Sequence, residues 1–283
     1  MAFKKVGVVG CGLMGRGIAE VSAKTGYDVV VSEINKELLD KGMAAVKGSL
    51  AKAVEKGKLA QGDMEKTLGK ISGTTDMMDF KDCDLVVEAA IENLELKKKI
   101  FIDLDRICAP NAVLSTNTSC LSVMDVAAVT KRTDKVLGCH FFNPVPVMKL
   151  LELVKTITTS KETLDAAVEW GKSLGKTVIV APDRPGFIVN RSFMPYMIEA
   201  FEMYEQGVAT REDIDTGVQL GLNHPMGPLT LADMVGLDTL LFVIDAIYAE
   251  TKNPKFIAPV LLRKMVTAGH LGRKTGKGFY DYK

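Results

Sequence analysis

Cysteine pairs at the spacings of disulfide scaffolds or zinc sites are missing from this sequence of 283 residues. The five cysteines are Cys11, Cys83, Cys108, Cys120 and Cys139. Their odd number and long separations argue against a disulfide framework and against a Cys/His metal site, so no metal is expected. We expect reduced thiols, mostly buried. A nucleophilic role for Cys120 is disfavoured, because no activating base stands at a recognised spacing from it.

Long apolar runs and an excess of one charge are also missing. No apolar segment reaches the length that spans a bilayer, and the first residues lack the features of a signal peptide. The 36 basic residues balance 35 acidic ones, so the formal net charge is +1 and nothing global favours a nucleic acid or a membrane as partner. We therefore expect a cytoplasmic protein with no nucleic-acid and no membrane partner.

What the sequence does contain, over its first 180 residues, is a series of short apolar runs that alternate with helical patterns. The predicted strands are residues 6–9, 29–31, 71–74, 85–87, 113–115, 136–139, 150–154 and 178–180. Strands of this kind, rich in β-branched residues and without polar alternation, predict a mainly parallel sheet that helices cover on both faces. About forty residues separate the second strand from the third. We interpret them as an inserted helical hairpin that begins at Asn35 and projects from the sheet, although a decoration without function is an alternative.

The sequence pattern changes at the turn-rich segment Ala181-Pro182-Asp183-Arg184-Pro185-Gly186. Beyond it, helical patterns cover residues 188–206, 211–220, 229–251 and 254–268. The predicted fold class is therefore α/β: a Rossmann-type domain over residues 1–184, followed by an all-α C-terminal domain over residues 185–283. The apolar stretch over residues 237–247 is either a dimer surface or internal core.

A glycine motif joins the first predicted strand to the first helix. In Gly10-Cys11-Gly12-Leu13-Met14-Gly15, the first glycine permits a tight turn, the second allows a pyrophosphate to approach the backbone, and the third lets helix and strand pack closely. Glu33 ends the second strand, where a carboxylate accepts hydrogen bonds from ribose hydroxyls and repels a 2′-phosphate. The pattern predicts an NAD site. A ligand-free turn and a solvated Glu33 are the alternatives, and Arg16 could weaken the preference against NADP.

One polar residue directly follows a later apolar strand, and a second lies inside the next one. His140 follows the run at 136–139, where the carboxyl ends of parallel strands face the ligand crevice, and histidine suits the role of base in alcohol oxidation. Glu152 lies inside the next strand, where burial requires a partner such as His140. A structural histidine and an outward-facing Glu152 remain open.

A polar segment, Ser115-Thr116-Asn117-Thr118-Ser119, closes another predicted strand. Its small hydroxyl and amide groups could bind a substrate oxygen or the nicotinamide ribose. The alternative is a simple N-cap for the helix near Ser122.

Taken together, these motifs make the chain resemble the L-3-hydroxyacyl-CoA dehydrogenases from end to end, and most of all the stand-alone bacterial enzymes for 3-hydroxybutyryl-CoA. The resemblance also rests on residues 139–146, 185–191, 223–228 and 274–280. Glu33 replaces the aspartate of many relatives and keeps the carboxylate.

The resemblance implies an oxidoreductase that uses NAD to interconvert a short-chain 3-hydroxyacyl-CoA and its 3-ketoacyl-CoA, with 3-hydroxybutyryl-CoA and acetoacetyl-CoA as the expected pair. It implies that His140 is the general acid/base oriented by Glu152, and that Ser119 and Asn190 bind the reacting part of the substrate. The implied NAD contacts are Gly10, Cys11, Gly12, Leu13, Met14, Gly15, Glu33, Glu92, Lys97, Ser119, Asn143 and Lys274.

The resemblance further implies that the acyl-CoA substrate contacts Ser49, Lys56 and Ser119, with Lys52 as an additional contact. Residues 49, 52 and 56 share one helical face, so lysines there could meet the CoA phosphates, although a solvated lysine face explains Lys52 as well. A homodimer or a higher homo-oligomer is expected. Two rival functions stay open: a β-hydroxyacid dehydrogenase for a free acid, and a non-catalytic NAD-binding protein.

Overall fold

The computed structural model describes residues 3–282 of the chain. These residues divide between Arg184 and Pro185 into two compact units. The first unit is built around a single sheet, and the second consists of helices. The expected fold class, a mainly parallel Rossmann-type sheet followed by an all-α part, is confirmed.

The sheet of the first unit has eight strands, and every predicted apolar run lies in one of them. They are β1 (Lys5–Val9), β2 (Asp28–Ser32), β3 (Ile71–Thr74), β4 (Leu85–Glu88), β5 (Val113–Thr116), β6 (Val136–Phe141), β7 (Leu150–Lys155) and β8 (Thr177–Pro182). Their spatial order is β3-β2-β1-β4-β5-β6-β7-β8. All neighbours are parallel except β6 and β7, which are antiparallel.

The strand order reverses between β1 and β4, and this reversal creates a crevice at the carboxyl ends of the strands. All residues of β4, β5 and β6 are buried, because helices cover both faces of the sheet. The helices of this unit are α1 (Leu13–Thr25), α2 (Lys36–Glu55), α3 (Gln61–Gly69), α4 (Leu94–Ile107), α5 (Val123–Ala127) and α6 (Lys161–Ser173).

The inserted hairpin consists of α2 and α3. Helix α2 begins as expected at Asn35, whose side chain accepts a hydrogen bond from the Leu38 amide at 2.9 Å. The prediction that the hairpin projects from the sheet is wrong for much of the length of α2. Leu39, Val46 and Leu50 recur at helical spacing and belong to the same apolar core as the sheet, so this face of α2 lies against the unit.

The second unit contains α7 (Val189–Glu205), α8 (Arg211–Gly221), α9 (Pro228–Val235), α10 (Leu237–Thr251) and α11 (Val260–Thr267). The single helix expected over residues 229–251 is interrupted at Gly236, whose φ of +105° and ψ of 123° are not helical. The helix expected from Pro254 is replaced by a 3-10 turn, Pro254–Phe256, and α11 starts only after Pro259. Both differences follow from residues with special backbone preferences.

Helix α10 contains the apolar stretch over residues 237–247. Leu240, Ile244 and Ile247 are almost fully buried, which supports the interpretation of that face as core. Phe242 is 45% exposed and faces outward. Between residues 3 and 282, no helix is long and apolar enough to cross a membrane.

Candidate active site

The loop between β1 and α1 forms a cradle at the start of the helix. Gly10 has a φ of +92°, and a Cβ on Gly15 would lie 1.8 Å from the Gly10 carbonyl oxygen, so both positions require glycine. A Cβ on Gly12 would meet nothing within 4 Å, so that position borders open space. No side chain caps α1 at Gly12, which leaves the first amides of the helix to bind an anionic group. The cradle therefore fits the pyrophosphate of a dinucleotide.

The other three residues of the motif differ in exposure. Leu13 is 55% exposed, Met14 is half-buried, and the Cys11 side chain is buried. The Cys11 amide donates to Glu33 Oε1 at 2.8 Å, so the carboxylate at the end of β2 is joined to the glycine loop. Burial, followed by the charge of Glu33, raises the pKa of the Cys11 thiol to about 11.

His140 and Glu152 are directly opposed in the antiparallel pairing of β6 with β7. Nδ1 of His140 lies 2.7 Å from Oε2 of Glu152, and the Glu152 side chain has no exposed surface. The ring of Phe142 packs on the imidazole with 4.5 Å between centroids. The structure thus brings together the two residues that the sequence singled out. A carboxylate on Nδ1 fixes the imidazole tautomer and stabilises its charged form.

The polar segment after β5 is held by Glu92. Oε1 of Glu92 accepts hydrogen bonds from the Thr118 hydroxyl at 2.5 Å and from the Ser119 amide at 2.9 Å. The N-cap of helix α5 is Ser122, outside this polar segment, and its hydroxyl accepts a hydrogen bond from the Asp125 amide. Ser119 and Glu92, which are both predicted to contact NAD, are therefore neighbours.

Lys97, expected to contact NAD, is fully buried. Its ammonium lies 2.8 and 2.9 Å from the two carboxylate oxygens of Glu88 and 3.4 Å from Glu92. The Lys97 ammonium therefore contacts Glu88 and Glu92 inside the protein, and its side chain has no exposed surface.

A cavity of about 560 Å³ lies between α1, α2 and the loop that follows β6. Ser49 and Lys52 of α2 line it, together with Arg16 and Glu20 of α1 and with Asn143. Burial raises the pKa of the Glu20 carboxyl, and a hydrogen bond from the Ser49 hydroxyl partly opposes that rise. A mixed polar cavity bordered by two cations can take an anionic, hydrogen-bonding ligand.

Lys56 does not line this cavity. It is the C-cap of α2 and is exposed. The expected set of Ser49, Lys52 and Lys56 is thus only partly brought together.

Two expected residues belong to the second unit. Asn190 is the second residue of α7. Lys274 lies in the 3-10 turn Arg273–Thr275, and its ammonium pairs with Asp238 at 2.5 and 2.6 Å. The C-terminal segment is anchored by the buried Asp233, which accepts hydrogen bonds from the amides of Phe279 and Tyr280 at 2.9 Å each. Lys274 therefore lies in a turn that directly precedes the segment held by Asp233.

The cysteines are poorly suited to nucleophilic chemistry. All five are unpaired and buried. Burial, followed by the charge of Glu92, raises the pKa of Cys120 to about 12, which leaves almost no thiolate at neutral pH. Over residues 3–282, no group of three or more His, Cys, Asp or Glu side chains could hold a metal ion.

Sequence reasoning missed three residues that hold predicted site residues, or a loop beside them, in place. Glu88 anchors Lys97, Asp238 pairs with Lys274, and Lys176 donates to the carbonyls of Val145 and Met148 at 2.5 and 2.7 Å. Only Glu88 carried a usable signal, because it is a charged residue at the end of an apolar strand, as Glu33 is. The other two lie in segments where a charged residue is unremarkable.

Comparison with known proteins gives full-length matches. The family model for the 3-hydroxyacyl-CoA dehydrogenase NAD binding domain matches residues 5–184, and the model for the C-terminal domain of that enzyme matches residues 186–282. The 3-hydroxybutyryl-CoA dehydrogenase of Mycobacterium tuberculosis is 47% identical, with 99% of each chain covered. The mitochondrial hydroxyacyl-coenzyme A dehydrogenase of Sus scrofa is 46% identical over 99% of this chain and 91% of its own.

A solved structure agrees with these matches. The crystal structure of (S)-3-hydroxybutyryl-CoA dehydrogenase from Ralstonia eutropha superposes with a TM-score of 0.97, at 46% identity and with 100% of both chains covered.

Proposed function

The chain belongs to the 3-hydroxyacyl-CoA dehydrogenase family, and from this premise we propose that it interconverts 3-hydroxybutyryl-CoA and acetoacetyl-CoA. It is an NAD-dependent dehydrogenase. The names of its full-length relatives support the short acyl chain. We further propose that residues 1–184 form the NAD-binding domain and that residues 185–283 carry substrate-binding and oligomer-forming surfaces. A homodimer or larger homo-oligomer is part of this proposal.

One observation carries the proposed chemistry: the contact of 2.7 Å between His140 and the buried Glu152 at the carboxyl end of β6. NAD, when bound, supplies the two-electron acceptor for C3 of the alcohol. His140 takes the 3-hydroxyl proton at Nε2, and Glu152 stabilises the imidazolium that forms. In the reducing direction, the same imidazolium returns the proton to the oxygen. Ser119 and Asn190 hydrogen-bond the reacting oxygens and orient C3.

Two further parts of the chain support cofactor and thioester binding. The cradle at Gly12 and the carboxylate of Glu33 fit the pyrophosphate and the adenosine ribose of NAD. Ser49 and Lys52, in the cavity between α1 and α2, fit the CoA part of the substrate, and exposed Lys56 adds a positive charge at the end of the same helix.

The test is NADH oxidation by the purified protein with acetoacetyl-CoA, beside a His140→Ala variant. We expect rapid oxidation by the wild type and a loss of about 10²- to 10⁴-fold in the variant, which is the usual contribution of a general acid/base. Free acetoacetate as an alternative substrate separates a thioester enzyme from a free-acid dehydrogenase. No oxidation with acetoacetyl-CoA or with longer 3-ketoacyl-CoAs would overturn the proposal.

A further inference from the structure

Glu88 and Lys97 form a charge pair that has no access to solvent. Both side chains have 0% exposure, and Lys97 Nζ lies 2.8 and 2.9 Å from the two oxygens of Glu88. The Ala90 amide and the Thr116 hydroxyl also donate to Glu88, at 2.7 and 2.6 Å. The Glu88 carboxylate thus accepts four hydrogen bonds and donates none, as expected of an ionised carboxylate. The pair is therefore a fixed charge arrangement.

A second carboxylate completes this arrangement. Glu92 Oε2 lies 3.4 Å from Lys97 Nζ, while its Oε1 accepts from the Thr118 hydroxyl and the Ser119 amide. We call Glu88, Lys97 and Glu92 the β4 charge cluster. Two carboxylates and one ammonium give it a net charge of −1. The Glu92 side chain is 26% exposed, so the uncompensated charge lies at the surface of the crevice.

The position of the cluster indicates which half of the dinucleotide it would meet. Glu33 directly follows β2 on one side of the glycine loop, and Glu88 of the β4 charge cluster ends β4 on the other side. In sheets of this order the adenosine ribose binds at the end of the second strand, and the rest of the dinucleotide crosses the reversal point. The nicotinamide half then lies over the ends of β4 and β5.

We propose that the β4 charge cluster sets the relative affinity for oxidised and reduced NAD, with Glu88 as the buried residue that fixes its net charge. The nicotinamide ring is positive when oxidised and neutral when reduced. A net charge of −1 close to it in a partly desolvated crevice favours the oxidised form. The inference rests on the proposed function, because it requires that NAD binds in this crevice.

The experiment measures two dissociation constants for each variant by equilibrium binding. NADH is titrated by its own fluorescence, and NAD⁺ by displacement of bound NADH. In Glu88→Gln the cluster becomes neutral at nearly the same shape, so we expect the ratio of the NAD⁺ to the NADH dissociation constant to rise about three- to tenfold. An unchanged ratio in a folded, NADH-binding Glu88→Gln protein would overturn the inference.

Thr116→Val is the matched control. It removes one hydrogen bond to Glu88 and leaves all three charges in place. If Glu88 acted only through packing, both variants would weaken the two forms of the cofactor alike. We expect the ratio in Thr116→Val to stay within about twofold of the wild type. An equal rise of the ratio in both variants would show that it does not depend on the charge of Glu88 and would overturn the inference.

A third variant keeps the inference testable if Glu88→Gln does not fold. Glu92→Gln also neutralises the cluster, and Glu92 is partly exposed, so folding is at lower risk. The ratio should rise in the same direction, and an unchanged ratio would contradict the inference. Failure of the wild type to bind NADH at all would contradict the proposed function itself, so the two failures are distinguishable.

Discussion

His140 and Glu152 face each other across β6 and β7, with Nδ1 of the imidazole 2.7 Å from the carboxylate. Glu152 has no exposed surface. Burying a carboxylate costs so much free energy of solvation that the group requires a partner inside the protein. A carboxylate beside Nδ1 favours the tautomer that carries its proton on Nδ1, which would leave the basic lone pair on Nε2. We therefore expect the charge of Glu152, and not only its shape, to govern how His140 reacts.

Glu152→Gln should lower kcat strongly while leaving the KM for acetoacetyl-CoA nearly unchanged. The amide can donate to Nδ1, which favours the wrong tautomer, and it cannot stabilise an imidazolium, so a loss of about 10²- to 10⁴-fold is expected. Steady-state kinetics over a range of pH check this. Glu152→Asp, which keeps the charge, serves as the control and should retain more activity than the amide. A Glu152→Gln enzyme with wild-type kcat would contradict the role of Glu152.

Two glycines of the same loop should respond to alanine in opposite ways. A Cβ on Gly12 meets nothing within 4 Å, whereas a Cβ on Gly15 would lie 1.8 Å from the Gly10 carbonyl oxygen. Gly12→Ala should therefore fold with a nearly unchanged Tm and bind NADH more weakly, because the methyl group fills the cradle. Gly15→Ala should lower the Tm clearly. Thermal unfolding and NADH titration of both variants check this, and a normal affinity in Gly12→Ala would contradict the assigned cradle.

The sheet could be predicted from the sequence because its strands are buried on both faces. Runs such as Leu85-Val86-Val87 carry no polar alternation, and only a sheet covered by helices accommodates them. The helical unit was harder to predict. Local periodicity gave no sign that Gly236 would interrupt the helix predicted over residues 229–251, because a glycine inside an apolar helical pattern is often tolerated.

Some site residues were predictable because they lie in or directly after these apolar strands. Glu33, Glu152 and His140 are polar residues that terminate or interrupt apolar strands, so the need for a partner or a ligand was visible. The ion pair of Lys274 with Asp238 was not, since two charged residues 36 positions apart in helical or turn segments carry no local signal. Such pairings depend on tertiary packing and cannot be read from spacing.

Glu33→Gln should raise the use of NADPH relative to NADH by about tenfold or more. The carboxylate repels a 2′-phosphate, and Arg16 supplies a positive charge near the same loop once that repulsion is gone. The ratio of kcat/KM for the two cofactors checks this. Glu33→Asp keeps the charge and should keep the preference for NADH. An unchanged ratio in Glu33→Gln would mean that another group selects the cofactor.

The thiols of the folded protein should resist alkylation at pH 8. Burial is the first cause that raises the pKa values, to about 11 for Cys11 and Cys108 and to about 12 for Cys83, Cys120 and Cys139. Because an elevated pKa keeps a thiol protonated, thiolate forms only as the pH approaches these values. Mass spectrometry after iodoacetamide treatment should find little label on the native protein and five labels after denaturation. Rapid native labelling of Cys120 would contradict its burial.

Lys52→Met should raise the KM for acetoacetyl-CoA and leave kcat almost unchanged. Lys52 borders the cavity that Ser49 also lines, so its ammonium can contribute to binding a CoA phosphate without touching the reacting carbon. An increase of about three- to tenfold corresponds to the loss of one exposed ionic contact.

The same variant should show a normal KM for acetoacetyl-N-acetylcysteamine, a thioester that lacks the CoA phosphates. Lys47→Met is the matched control, because Lys47 is an exposed lysine on the same helix that does not line the cavity. It removes the same charge, so a general electrostatic effect would change both variants alike. If Lys47→Met raised the KM for acetoacetyl-CoA as much as Lys52→Met, the cavity between α1 and α2 would not be the place where CoA binds. A selective effect at Lys52, absent with the truncated thioester, would assign the phosphate-bearing part of the substrate to this cavity.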